Sequence, residues 1–357
     1  MRISIKSNIK HSDEQRKNAV DKASPALDII WKKNWLNDSL IKADIATVSE
    51  LREYAAKLAG KYEVALIAAG RREMQAIKAV TDLFEVREGY TEPVFMPTDF
   101  SPKNYKDILE KIGDKTVALL AVAADEEDLQ FRCSYSIAKQ LAFSQGNKSK
   151  MSTDVCAIYS KKSLMLREDA GENEYTKIEL PDGTESQYLA NTAAVLLPLM
   201  IMGVDVEAFL RGFSDCISAP EWDTHLPLMA FQMVETEEKA VYIEHWQKEF
   251  EAASNWFSQV DYIENHRSIS MPSQFSNEKG LHICLAGRET YADIMTPSFE
   301  GCDEDGSLQL LLNRERDEFF EKMNAESFLV ELNSNDAEAI GELIAFLQMS
   351  QSIEFLI

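Results

Sequence analysis

The sequence predicts an α/β protein made of two parallel-sheet domains with helices on both faces. Three observations predict it. Short apolar runs recur at Val64–Ala69 (VALIAA), Thr116–Ala123 (TVALLAVA) and Val155–Tyr159 (VCAIY), long enough for buried strands and too short for buried helices. Segments with helical spacing separate them, such as Met74, Ile77, Val80, Leu83 and Phe84. Further strand-like runs return near the C-terminus, at Leu281–Ala286 and Ser327–Leu332. Such alternation folds into parallel sheets with right-handed crossovers. The 357 residues suffice for two or three average domains.

The elements follow in order. Residues 12–34 read as a helix anchored by Trp31 and Trp35 and interrupted near Pro25. Thr47-Val-Ser-Glu50 reads as a capping box before a helix that Gly60 ends. After the strand Val64–Ala69 comes a helix over 71–84, then a strand at Pro93–Met96. Asn104–Ile112 reads as a helix with Ser101 as N-cap and Pro102 at its first position. Thr116–Ala123, a helix over 126–143 and Val155–Tyr159 complete the first alternation. Residues 160–187 are acidic and turn-rich; Tyr188–Met202 reads as an apolar helix, with a short helix at Asp205–Phe213. Glu237–Val260 carries Val241, Ile243, Trp246, Phe250, Ala253, Trp256 and Phe257, which predicts one long amphipathic helix. Residues 265–280 read as loop, and a last helix spans Asp336–Met349, capped by Ser334 or Asn335.

Composition excludes several classes. No uncharged apolar stretch reaches the ~18 residues of a membrane span. The N-terminal Arg2, Lys6 and Lys10 have no apolar core behind them, which argues for a cytoplasmic protein without a signal peptide. Five widely spaced cysteines without a C-x-x-C read as reduced thiols, and five histidines without an H-x-x-x-H pair call for no metal. Thirty-seven basic against sixty acidic residues give a net charge of −23, which repels nucleic acid and anionic lipid. Residues 1–150 are nearly neutral, with 24 basic and 22 acidic groups, so an anionic ligand fits better there.

Several strings resemble the glucose-6-phosphate isomerase family, built from two sugar-isomerase (SIS) domains. Asp182-Gly-Thr-Glu-Ser186 stands where the family has a Gly-Gly-Arg-x-Ser turn. Leu197-Pro198, Gly203-Val204-Asp205 and Gly212 keep the places of the family's following helices. Trp256-Phe-Ser-Gln259 is similar to its Trp-x-x-Gln-Leu, and SFLVELNSNDAEAIGELIAFLQ to its last strand, turn and helix. The resemblance covers roughly residues 45–350 and implies two SIS-type, flavodoxin-like parallel-sheet domains. The expected organisation is an N-terminal helical segment over 1–45, a first SIS domain over 46–200, and linking helices with a second SIS domain over 201–357.

The chain departs from the family where the family binds phosphate. Its Gly-x-Gly-Gly-Ser loop reads Ala68-Ala-Gly-Arg-Arg72 here, keeping Gly70 and replacing serine by arginine. Its hydroxyl-rich second loop reads Val122-Ala-Ala-Asp-Glu-Glu-Asp128. Those carboxylates suit a helix start but repel phosphate, by ~1 kcal/mol or more per partly exposed pair. The turn's arginine is Thr184, followed by Ser186, and the family's closing lysine motif is absent.

Aldose–ketose isomerisation needs a base at C2, a ring-opening group and a positive group at the enediolate. The resemblance implies Glu264, eight residues after Trp256, as base and His282, in Gly-Leu-His-Ile, as ring-opener. Strand alternation around His282 equally allows both to be ordinary loop and strand residues. Arg71 and Arg72 either clamp an anion beside Gly70 or pair with Asp125–Asp128. Two functions therefore stand open. One is a glucose-6-phosphate isomerase-like enzyme with weak or lost activity, interconverting glucose-6-phosphate and fructose-6-phosphate without a cofactor. The other is a non-catalytic SIS paralogue that binds a carbohydrate derivative or regulates a partner. Both imply a sugar phosphate or other small anion as ligand, no nucleic acid or membrane partner, and a homodimer covering the apolar helices.

Overall fold

The computed structural model describes residues 2–32, 45–125, 127–145, 154–218, 225–235, 240–258, 266–270, 280–289, 293–296 and 306–356. The chain opens with strand β1 (Ile3–Ser7) and helix α1 (Asp13–Lys32), which runs through Pro25 without a break. Next come α2 (Ile45–Leu58), β2 (Val64–Ala69), α3 (Arg71–Thr81), β3 (Glu92–Phe95), α4 (Pro102–Ile112), β4 (Val117–Ala123), α5 (Leu129–Gln145), β5 (Val155–Tyr159), α6 (Leu164–Glu172), β6 (Thr176–Glu179), α7 (Ala193–Ile201) and α8 (Val206–Ser218). The rest is α9 (His225–Glu235), β7 (Ala240–His245), α10 (Glu251–Phe257), β8 (His266–Ser270), β9 (Gly280–Gly287), β10 (Met295–Thr296), β11 (Gly306–Ser307), α11 (Leu308–Lys322), β12 (Glu326–Leu332) and α12 (Ala337–Leu356). Two compact units result, one of residues 30–210 and one of residues 1–29 with 211–357.

The unit of residues 30–210 holds a five-stranded, wholly parallel sheet in the order β3-β2-β4-β5-β6. Its apolar runs are buried on both faces, as continuous hydrophobic strands require. Val64, Leu66 and Ala68 share a core with Leu119, Ala121, Ile112 of α4 and Phe131 and Tyr135 of α5. Helices α2 and α3 pack on α7. The chain leaves β2 toward β3 on one side and returns to β4 on the other. That reversal opens a crevice at the carboxyl ends of β2 and β4, where ligands bind in such sheets.

The other unit holds a sheet in the order β1-β12-β9-β7-β8, parallel except for the antiparallel edge strand β1. The N-terminal residues thus supply an edge strand to this sheet, with Ile3 opposite Leu332, beyond the helical reading of 1–45. Helix α1 follows them, with Ala19 packed on Leu228 and Phe231 of α9.

Several readings need correction. Where a single helix is expected over 237–260, the described residues 240–258 form strand β7, a short 3-10 turn at Lys248–Phe250 and helix α10. Val241 and Ile243 alternate rather than follow a helical face, and β7 gains two parallel partners. Within the expected loop 265–280, His266–Ser270 is a strand. The turn-rich stretch 160–187 contains α6 and β6. The helix expected from Tyr188 starts at Ala193, where the Thr192 hydroxyl accepts the Ala194 N–H at 3.2 Å. Thr47–Glu50 lies inside α2, and Asp336, rather than Ser334 or Asn335, caps α12 through the Ala339 N–H at 2.8 Å.

The first sheet depends on its central strand. Leu119→Ala empties a fully buried position on β4 and should cost about 2–5 kcal/mol. A lowered urea midpoint at unchanged slope would report it.

Candidate functional site

Because β2 and β4 are adjacent and parallel, with Ala69 opposite Val122, the loops that follow them lie side by side. They bound a cavity of about 340 Å³ lined by Gly70, Arg71, Arg72 and Glu73 from the first loop. Ala123, Asp125, Glu127, Asp128, Gln130 and Phe131 line it from the second, and Ser186 from the turn after β6. The crevice implied by the strand order is thus where Gly70, Arg71, Arg72 and Ser186 meet.

Glu73 dominates the floor. Gly70 is the N-cap of α3, with the Met74 N–H donating to its carbonyl at 2.8 Å, so Glu73 stands at the third helical position. Its carboxylate turns back, accepting the Ala124 N–H at 3.1 Å and the Asp125 N–H at 3.4 Å, together with its own backbone N–H. Gly70 has an ordinary φ of −61°; the glycine serves close approach, since a Cβ there would collide with the Glu73 carboxylate. Glu73 is only 6% exposed. Burial pushes the carboxyl above its ordinary 4.5, the backbone N–H donors oppose this, and Asp125 adds to it.

The second loop spends its carboxylates on structure. Asp128 accepts the Phe131 N–H at 2.6 Å and caps α5. Glu127 Oε1 accepts the Leu166 N–H at 2.9 Å in the first turn of α6. Asp125 pairs with Lys162 at 2.8 Å. Burial raises the Asp125 carboxyl, but Lys162, Ser186 and Arg72 outweigh burial and hold it below its ordinary range. Arg72 lowers the Asp125 carboxyl electrostatically, while Lys162 makes the direct bond. Glu126 lies outside the described residues.

Thr184 serves its own turn. Its hydroxyl donates to the Pro181 carbonyl at 2.8 Å, its N–H to the same carbonyl at 3.2 Å, and Gly183 between them has φ +84°, a conformation that suits glycine. Ser186 is buried and faces Asp125.

His282 belongs to the unit of residues 1–29 and 211–357, on β9, and is fully buried. Its Nδ1 lies 2.9 Å from Glu244 Oε1 on β7, and its ring stacks on Tyr242 with centroids 4.8 Å apart. Glu264 lies outside the described residues. Against the same sheet, Arg316 of α11 is fully buried, ion-paired with Glu331 of β12 and donating to the Gly287 carbonyl at 3.1 Å.

Sequence reading missed Glu73, Lys162 and Glu244. A glutamate three residues after a helix N-cap is a legible signal for Glu73. Glu244 was hidden by the helical reading of its strand. Among the described residues, no group of His, Cys, Asp and Glu could hold a metal, and no helix is long and apolar enough to cross a membrane.

The raised Glu73 carboxyl makes a pH prediction. Its folded-state pKa exceeds its unfolded one, so the stability it contributes is full below about 4.5 and is lost as pH rises through the folded value. Glu73→Gln has no such titration. The variant should gain stability relative to the parent as pH rises from 4.5 toward neutrality, read from urea midpoints at several pH values.

The chain matches no protein-family model. Over 137 residues it is 23% identical to the glucose-6-phosphate isomerase of Staphylococcus saprophyticus and 24% to that of Staphylococcus aureus. Each match covers 38% of this chain and only 31% of the relative's length. A crystal structure of a hypothetical protein from Thermus thermophilus superposes with a TM-score of 0.80 at 15% identity, covering 96% of this chain and 91% of that one. A glucose-6-phosphate isomerase from Chlamydia trachomatis gives 0.75 at 12% identity, covering 99% and 84%. The tagatose-6-phosphate ketose/aldose isomerase of Escherichia coli gives 0.52 at 10% identity, covering 96% and 92%. The fold is that of the SIS-domain sugar isomerases, and over 137 residues the sequence is similar to glucose-6-phosphate isomerase.

Proposed function

We propose that this protein is a sugar-phosphate-isomerase-like protein with weak or lost isomerase activity, keeping the scaffold and a cavity for a small carbohydrate derivative. One observation carries the reading. The histidine that the resemblance casts as ring-opener, His282, has no exposed surface and is held by Glu244. A general acid must come within about 2.6–3.2 Å of the atom it protonates. A histidine enclosed in a sheet between Tyr242 and Glu244 cannot do so while its strand stays paired.

A second reading, a non-catalytic binding or regulatory module, draws on the second loop. Its carboxylates cap α5 and α6 and pair with Lys162. A loop committed to scaffold in this way offers a phosphate no hydroxyl donors.

Purified protein with fructose-6-phosphate tests the proposal. The expected kcat/KM lies below ~10³ M⁻¹s⁻¹, under the usual enzyme range of about 10⁴–10⁸. Ordinary turnover, abolished by Glu264→Gln, would overturn it. His282→Ala should leave residual turnover unchanged but cost about 3–5 kcal/mol in urea unfolding, because it strands a buried carboxylate. The chain is further proposed to form a homodimer, so light scattering should return twice the 40.4 kDa chain mass; a monomer mass would refute that part.

A further inference from the structure

We infer that the Glu73 carboxylate is the built-in occupant of an anion cradle at the carboxyl ends of β2 and β4, and that its presence bars phosphomonoesters from this cavity. The inference deepens the reading above by naming what the cavity excludes. It borrows from that reading only the choice of a sugar phosphate as second probe.

The cradle is made of backbone. The first turn of α3 presents N–H groups without helical partners, and the helix dipole favours negative charge there. The Ala124 and Asp125 N–H groups converge on the same point from the neighbouring loop. Donors of this kind from two loops can hold any compact anion, whether a ligand or a side chain. Here they hold Glu73, and Gly70 leaves the room its carboxylate fills. A buried carboxylate is costly unless its oxygens are bonded, and the donors that bond this one are main-chain N–H groups. The acid therefore stands in the place an external oxyanion would take.

Two further observations disfavour an incoming dianion. Glu73, Asp125, Glu127 and Asp128 set four carboxylates on the cavity wall against Arg71, Arg72 and the Lys162 bound to Asp125. Glu73 is also tethered. A group joined to its site by a short side chain competes at an effective concentration of millimolar or more. A free phosphomonoester must displace it and approach Asp125 as well.

The test uses the full chain as the parent, Glu73→Ala and Glu73→Gln, titrated with inorganic phosphate at constant ionic strength and followed by calorimetry and thermal shift. The parent should show no saturable binding. Glu73→Ala, which frees the cradle, should bind phosphate at least ~10-fold more tightly, as charge-assisted N–H bonds pass to the ligand. Glu73→Gln fills the same volume without a full charge and should fall between them. If Glu73→Ala does not fold, a gain or its absence in Glu73→Gln decides the matter. Equal phosphate binding by the parent and a folded variant, or none by either, overturns the inference. Fructose-6-phosphate is then titrated on the same proteins. Phosphate binding without sugar-phosphate binding would leave the cradle standing and count against the proposed function alone.

Discussion

The parallel pairing of Val64–Ala69 with Val117–Ala123 is the constraint on which the candidate site depends. Both runs are buried on both faces, so register is enforced by the fit of each side chain into a helix layer. That register sets Ala69 beside Val122 and brings the following loops within hydrogen-bonding distance. A loop's worth of charged residues could not hold such proximity unaided. The apolar strands hold it, at about 1.5–3 kcal/mol for each large side chain buried.

The acidic loop then has a physical explanation that needs no ligand. A helix start leaves N–H groups unsatisfied and prefers negative charge. Asp128 meets that need for α5 and Glu127 for α6. Asp125 binds Lys162, while the Ser163 hydroxyl donates to the Ala123 carbonyl at 2.6 Å and fixes the end of β4. On the proposed reading, the residues that disfavour phosphate are the ones that fix the loop.

The first sheet was legible because its strands announce themselves locally. An apolar run of five to seven residues bounded by helical spacing has one reading, and β2, β4 and β5 fall where that reading puts them. The second sheet was half legible. β9 and β12 are apolar runs of the same type, whereas β1, β7 and β8 owe their conformation to partners far away in sequence. ISIKS and HRSIS are too polar to read as strands alone; Ile3 pairs with Leu332 and Val241 with His266. In Glu237–Val260 the aromatic residues at Trp246, Phe250, Trp256 and Phe257 fit a helix, and a true helix at Glu251–Phe257 made the extension over β7 persuasive. Of the residues lining the cavity, Gly70 and Ser186 stand out by resemblance and Arg71 and Arg72 as departures from it. For Glu73 the spacing shows a helix-start position but not its role, which needs the N–H groups of Ala124 and Asp125 in the neighbouring loop.

His282 shows the same lesson from the opposite side. The Leu281-His282 pair matches a pattern, but the pattern sits in a strand whose neighbours decide its chemistry. Opposite His282 stands Tyr242, and one step along the same face stands Glu244. With Glu244 as acceptor the histidine donates from Nδ1, which fixes its ring between two strands. The buried Arg316–Glu331 pair ties α11 to β12, and Arg288 Nε at the end of β9 reaches the same Glu331 at 2.7 Å. Such links are satisfied only in one register, so they select a pairing where apolar strands alone would tolerate a slip. Residue types suited to proton transfer have here become register pins, and the chemistry of a motif-like pair is set by the burial around it.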